Sequence, residues 1–127
     1  MWYIDTSAFL KLVVLEEESE AMRAWFRSHS PVWSSQLLLT ESMRSAGKLG
    51  IDRDVVFEAL ESVSLVLPSV ETFYTAGEIG ETSLRSLDAI HLATALEMGV
   101  DLTALVTYDE RLAEASRAVG VQVDTPV

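Results

Sequence analysis

Four acids, Asp5, Glu41, Asp88 and Asp109, stand where their spacing allows chemistry. Asp5 ends the apolar run WYI at 2–4, and Asp109 follows the apolar ALVT at 104–107. Glu41 lies in LLLTESMR at 37–44, and Asp88 lies near the start of RSLDAIHLATALEMG at 85–99. Singly, each has a plain structural reading. Asp5 and Asp109 suit helix N-caps, because an Asp oxygen accepts from the free N–H groups of a helix start. Asp88 suits the positive end of a helix dipole, and Glu41 suits a solvated helix face. Gathered in one pocket, the four would repel one another and take up protons unless a cation offset them. An oxygen-only set, with no cysteine in the chain and no pair of neighbouring histidines, suits Mg2+ or Mn2+ rather than zinc. Two such ions can hold an attacking water and a leaving oxygen in line, which is the logic of metal-assisted phosphodiester cleavage.

The order of elements decides whether these acids can meet. WYI at 2–4 reads as a strand, and residues 7–15 and 17–28 read as helices, the second with Ala21, Met22, Trp25 and Phe26 on one side. PVW at 31–33, continued by Ser34 and Ser35, is a second strand. Residues 36–49 are helical and stop at Gly50. Asp52 caps a helix carrying Val55, Val56, Ala59, Leu60 and Val63 at helical spacing. SLVLP at 64–68 is a third strand ended by Pro68, followed by a helix over 70–79 and a loop from Gly80 to Ser86. Residues 87–98 form a helix apolar on nearly every face, which marks it as buried. A strand at 104–107, a helix at 110–118 closed by Gly120, and a short strand at 121–123 complete the pattern.

Short apolar strands alternating with helices predict one three-layer α/β/α domain over residues 1–127, with a central, mainly parallel sheet of about five strands. In such sheets the working site lies at the carboxyl ends of the strands, where strand order reverses. That places Asp5 and Asp109 on one edge, and we expect all four acids to converge there. A buried helix with a carboxylate at its mouth then makes sense: the helix is rigid, and Asp88 points into a metal pocket.

Bulk composition sets limits. The chain has 127 residues, 49% of them hydrophobic, enough for one core without disorder. No apolar run reaches membrane-spanning length, and the N-terminus lacks the pattern of a signal peptide, so a cytoplasmic protein without a membrane partner is expected. The 20 acidic residues against nine Lys plus Arg leave a formal charge of −11. That balance favours solubility and basic partners and weighs against a basic nucleic-acid surface. No GxGxxG or GxxxxGK[ST] run supports a nucleotide-binding module.

IDTSA at 4–8, Glu41 within TESMR at 40–44, SLDAIHLATA at 86–95 and LVTYDERL at 105–112 together resemble the PIN-domain ribonucleases, above all the VapC toxins of VapBC toxin–antitoxin modules. The likeness covers nearly the whole chain, in the expected order. It implies a Mg2+- or Mn2+-dependent endoribonuclease with an RNA substrate, a cognate VapB-like antitoxin and a homodimer. By motif position it implies an acidic cluster of Asp5, Glu41, Asp88 and Asp109, with Ser7 and Thr107 orienting the acids or water. Asp5 and Asp88 would be direct metal ligands, and Asp109 would complete the set directly or through water. Glu41 would hold a second ion or help deprotonate the attacking water. The products expected are a 5′-phosphate and a 3′-hydroxyl. Residues 50–86 carry little of this signature, so substrate choice does not follow from it.

Other residues carry two readings each. Arg44 and Lys48, four apart on one helix face, are either phosphate contacts near Glu41 or a solvated face. Arg85 reaches either RNA or solvent. A lone His91 in an apolar helix reads as a satisfied core histidine more readily than as a general base. Trp25 and Phe26, at amphipathic spacing, read as core or as a groove for a partner helix rather than a stacking platform for bases. Competing functions are a DNA nuclease, an inert interaction module on the same fold, and an aspartyl phosphatase. The last lacks the second acid expected two residues beyond the nucleophile, since Asp5 is followed by Thr6 and Ser7.

Overall fold

The computed structural model describes all of residues 1–127. Its elements run β1 (Trp2–Ile4), α1 (Thr6–Val13), α2 (Ser19–Ser28), β2 (Val32–Ser35), α3 (Leu37–Lys48), α4 (Arg53–Leu60), β3 (Ser64–Val66), α5 (Val70–Glu78), α6 (Ser86–Leu96), β4 (Ala104–Val106), α7 (Glu110–Ala118) and β5 (Val123–Asp124), with a 3-10 turn at Gly99–Asp101. The sheet is wholly parallel, in the order β3-β2-β1-β4-β5. From β1 the chain builds outward through β2 to β3, then crosses back to lay β4 on the other side of β1. The order therefore reverses between β1 and β4, and a crevice opens beyond their carboxyl ends.

Alternation along the strands sends side chains to two cores. Ile4 and Val106, paired in register, join Phe9, Met22, Leu38 and Val56 on the face covered by α1 to α4. Tyr3 and Leu105, the next pair, join Leu92, Ala95 and Leu112 on the face covered by α6 and α7, with α5 packed against α6. The expected α/β/α layering is present. Burying one Leu side chain in such a core is worth roughly 2 kcal/mol, so each face contributes substantially.

Boundaries differ from the sequence reading where side chains intervene. The first helix stops at Val13 rather than residue 15, and Leu15 is 83% exposed. The second begins at Ser19 rather than residue 17, because the buried Ser19 hydroxyl donates to the Val14 carbonyl at 2.7 Å and accepts from the Glu16 amide. The last strand begins at Val123 rather than residue 121. Gly120 takes φ +85°, letting the Val121 amide turn back onto the Ser116 carbonyl and close α7, which removes residue 121 from the strand. The buried helix α6 is buried along its body, at Ala89, Leu92, Ala93 and Ala95, but its first turn surfaces, with Leu87 45% exposed.

Candidate metal centre

Asp5 forms the floor of the crevice. It follows β1, is buried, and caps α1 by accepting from the Ala8 amide at 3.0 Å. Two hydroxyls also donate to it: Ser7, at 2.7 and 2.9 Å to its two oxygens, and Thr107, at 2.6 Å to Oδ2. Burial pushes the Asp5 carboxyl above its ordinary range; the Thr107 and Ala8 hydrogen bonds oppose that shift without cancelling it. A carboxylate held by several donors, yet short of charge stabilisation, is a place for a cation.

Thr107 ties this floor to Asp109. Its oxygen accepts from the Asp109 amide at 3.0 Å, while Ser7 accepts from the Tyr108 amide at 2.9 Å. The ends of β1 and β4 are thereby stitched together. Asp109 in turn caps α7 by accepting from the Leu112 amide at 2.9 Å. The capping reading of Asp5 and Asp109 is thus correct: each spends one oxygen on a helix start, and Asp5 has its other oxygen on the Ser7 and Thr107 hydroxyls.

Asp88 has no such local employment. It sits in the first turn of α6, a helix with no side-chain cap. Half-buried, its carboxyl is pushed up to about 6 by desolvation and then by the charges of Asp109, Asp5 and Glu41, with His91 opposing. Asp88 therefore feels the charge of the other three acids of the motif. A hollow of about 250 Å³ opens at two of the acids, lined by Asp88 and Asp109 together with Glu110, Arg85 and Arg111.

Glu41 reaches the cluster from the second turn of α3. Thr6 donates to its Oε1 at 2.9 Å, and His91 Nε2 lies 2.7 Å from the same oxygen. Burial raises its carboxyl, but the hydrogen bond and charge of His91 and the Thr6 hydroxyl more than offset this, leaving it below the usual range. Sequence reading treated His91 as a satisfied core residue. It is buried and hydrogen-bonded as expected, but one of its partners is a site acid and the other is the Tyr3 phenol, at 2.7 Å from Nδ1. Tyr3, Thr6 and Arg111 are site neighbours that sequence reading missed. The one available signal was the one-turn spacing of Asp88 and His91.

The other candidates disperse. Arg44 and Lys48 are exposed on α3. Arg85 is exposed at the rim of the hollow. Trp25 and Phe26 pack on the first core, and Trp25 stacks on His29 with ring centres 4.2 Å apart and meets Trp2 edge-on. Trp2 opens β1, so that aromatic group sits at the opposite edge of the sheet from the acids.

The donor set fits a hard divalent ion. It is all oxygen, there is no cysteine, and both nitrogens of the one nearby histidine are already engaged. No three of the acidic or histidine side chains stand close enough together to hold one ion between them. Mg2+ does not require three, since it takes one or two carboxylates and keeps several waters.

Known proteins share this fold. A family model for the PIN domain matches residues 2–118. Ribonuclease VapC46 of Mycobacterium tuberculosis (strain ATCC 25618 / H37Rv) is 41% identical over 98% of this chain and 96% of its own. Ribonuclease VapC35 of the same strain is 39% identical over 99% and 97%. Among solved structures, Mycobacterium tuberculosis VapC20, described as a Sarcin-Ricin loop cleaving toxin, superposes with a TM-score of 0.77 at 18% identity, covering 95% of this chain and 96% of that one. A toxin–antitoxin complex from Klebsiella pneumoniae gives 0.75 at 22% identity, covering 100% and 98%. With the family match spanning both strand ends that carry the acids, and relatives aligned from end to end, the chain belongs to the PIN-domain family, among its VapC-like members.

Proposed function

We propose that this protein is the endoribonuclease toxin of a type II toxin–antitoxin pair, hydrolysing RNA phosphodiester bonds with Mg2+ or Mn2+. The observation that carries the reading is Asp88, held half-buried against Asp109, Asp5 and Glu41 with its carboxyl pushed up to about 6. A half-buried acid in the field of three others, at the switch point of a parallel sheet, is a setting that a divalent ion would relieve. The 41% identity to a protein named as a ribonuclease supports RNA as the substrate class.

In this reading Asp5 and Asp88 hold the principal ion, and Asp109 completes the set directly or through water. Ser7 and Thr107 fix the rotamer of Asp5 by spending their protons on it. Glu41 serves as a fixed negative charge for a second ion rather than as the proton acceptor, because its lowered pKa makes it a weak base. Bound in the pocket, a divalent ion would offset charge on the scissile phosphate and lower the pKa of the attacking water. Arg85 and Arg111, at the rim of the hollow, are placed to meet flanking phosphates. They answer the objection from the −11 charge: the reacting group meets a locally mixed surface, not the average one.

The inhibitory partner belongs to the same proposal. A groove of about 540 Å³ leads away from Asp109 and is lined by Glu18, Glu110 and Glu114 as well as Arg117. It suits an Arg- or Lys-bearing antitoxin segment that sets a cation among the acids and displaces metal. A charge-reversed antitoxin segment that inhibits as well as the original would sink this part. We also expect a homodimer, because Leu67, Val70 and Tyr74 are 77%, 72% and 71% exposed, apolar surface of the kind that interfaces cover. Sedimentation velocity tests it. No helix is long and apolar enough to cross a membrane, and we expect the protein to act in the cytoplasm, where its RNA is.

The decisive assay incubates the protein with mixed RNA and DNA oligonucleotides in Mg2+, Mn2+ or EDTA, beside Asp5→Asn and Asp88→Asn. RNA cut only by the unaltered chain, only with metal, and leaving 5′-phosphate and 3′-hydroxyl ends, is the expected result. Equal cleavage of DNA would move the assignment to a general nuclease, and cleavage in EDTA would overturn it.

A further inference from the structure

The buried contact among Tyr3, His91 and Glu41 is a chain of hydrogen bonds anchored at both ends. It begins at the Ser35 amide, which can only donate and gives its proton to the Tyr3 oxygen at 3.0 Å. The same phenol oxygen lies 2.7 Å from His91 Nδ1. At the other side of the ring Nε2 faces Glu41 Oε1 at 2.7 Å, and because a carboxylate only accepts, Nε2 carries the proton between them. The chain ends on a carboxylate, which can only accept. Tyr3 and His91 are 0% and 1% exposed, so water does not compete for these bonds.

We propose that His91, oriented by Tyr3, is a positioning residue for Glu41, holding that carboxylate in a single rotamer with Oε1 committed and Oε2 free to face the acid cluster. Three elements meet at this point: β1 supplies Tyr3, α3 supplies Glu41 and α6 supplies both His91 and Asp88. Thr6 adds a second donor to the same Oε1, at 2.9 Å. Glu41 otherwise sits on a long, rotatable stem at the cluster's open side, with its side chain 20% exposed. Fixing it in advance spares the centre that ordering step when metal and phosphate arrive. A histidine serving packing alone would have no reason to aim one nitrogen at a site acid and rest the other on a phenol held by a backbone amide.

This inference rests on the ribonuclease reading for its kinetic consequence but not for its geometry, and the test separates the two. In the metal-free wild-type protein, 1H–15N NMR of the imidazole should report a slowly exchanging proton on Nε2. A ring carrying its only proton on Nδ1, or averaging between tautomers, overturns the proposal whatever the protein cleaves. In cleavage of a mixed-sequence RNA oligonucleotide with Mg2+, Tyr3→Phe should lower kcat about tenfold with KM nearly unchanged. His91→Gln and His91→Asn then divide positioning from packing. The Gln amide nitrogen falls near the place of Nε2 and still donates to Glu41, whereas the Asn nitrogen reaches only the place of Nδ1. His91→Gln should retain most of the wild-type kcat and His91→Asn should lose about fifty-fold, at matched thermal midpoints. Equal kcat for the two variants, or a loss confined to KM, overturns the assignment.

Discussion

The two edges of the sheet each hold a histidine, and the two are used in opposite ways. At the carboxyl edge His91 is sealed between Tyr3 and Glu41, with both nitrogens hydrogen-bonded to side chains from other elements. At the amino edge His29 lies half-buried, stacked on Trp25 and edge-on to Trp2 at 4.9 Å, with Nδ1 only 2.6 Å from the Trp25 carbonyl of its own helix. The first is polar and long-range, and it surrounds groups whose charge is not balanced. The second is apolar and largely local, and it closes a packing gap. Parallel sheets create this asymmetry, because every strand delivers its following loop to the same edge. Unbalanced charge collects where the chain brings its motif residues together, and aromatic packing closes the other end.

The comparison breaks most visibly at Asp88. Asp88→Asn should abolish RNA cleavage, by on the order of a thousandfold or more. It should also raise the thermal midpoint of the metal-free protein by about a few degrees, since it removes one of the repelling charges. Calorimetry beside the cleavage assay checks both. A variant that is inactive and less stable would mean that the acids are structural and that no charge strain is stored there.

A pH titration sharpens the same point. Asp88 has its folded pKa raised from 3.8 to about 6, so the folded chain holds that proton more tightly than the unfolded chain does. Its contribution to stability is therefore complete below about pH 4 and is lost as pH rises through about 6. Asp5, also raised, adds in the same direction, and Glu41, lowered, works against them. The metal-free protein should lose stability across that window, and saturating Mg2+ should abolish the loss. Equal slopes with and without Mg2+ would argue against ion binding at the cluster.

The amino edge should behave in reverse. Trp25→Ala should cost about 2 kcal/mol of stability, less than a fully buried tryptophan because it is only half-buried, and leave kcat on RNA intact. Denaturant unfolding and single-turnover cleavage report these separately, and a selective loss of activity would restore Trp25 as an RNA contact. Smaller still, Arg111→Ala at the rim of the hollow should raise KM about threefold and flatten the salt dependence of binding, with kcat unchanged. A steeper salt slope in that variant would remove Arg111 from the phosphate path.

Much of this was legible beforehand because it depends on local rules. The apolar runs ending in Asp5 and Thr107 identified the strands and the edge where the acids follow them, and the helix starts at Asp5, Asp52 and Asp109 are capped as those residue types predict. The errors fell at places decided by a single contact. Ser19 reaches back to Val14 and delays α2, while Gly120 turns the chain and delays the last strand. His91 shows the same limit at the site: its spacing from Asp88 was readable, its partners on β1 and α3 were not.

Residue types and their order along the chain were sufficient for a parallel α/β domain with an acidic edge, because hydrophobic period, capping chemistry and the rule of strand ends all act within a few residues. Which acid is buried, which is strained and which is braced required the folded molecule. Those properties come from desolvation and from partners 35 to 102 positions away, as in the Thr6–Glu41 and Asp5–Thr107 bonds, and only the closed tertiary structure creates either.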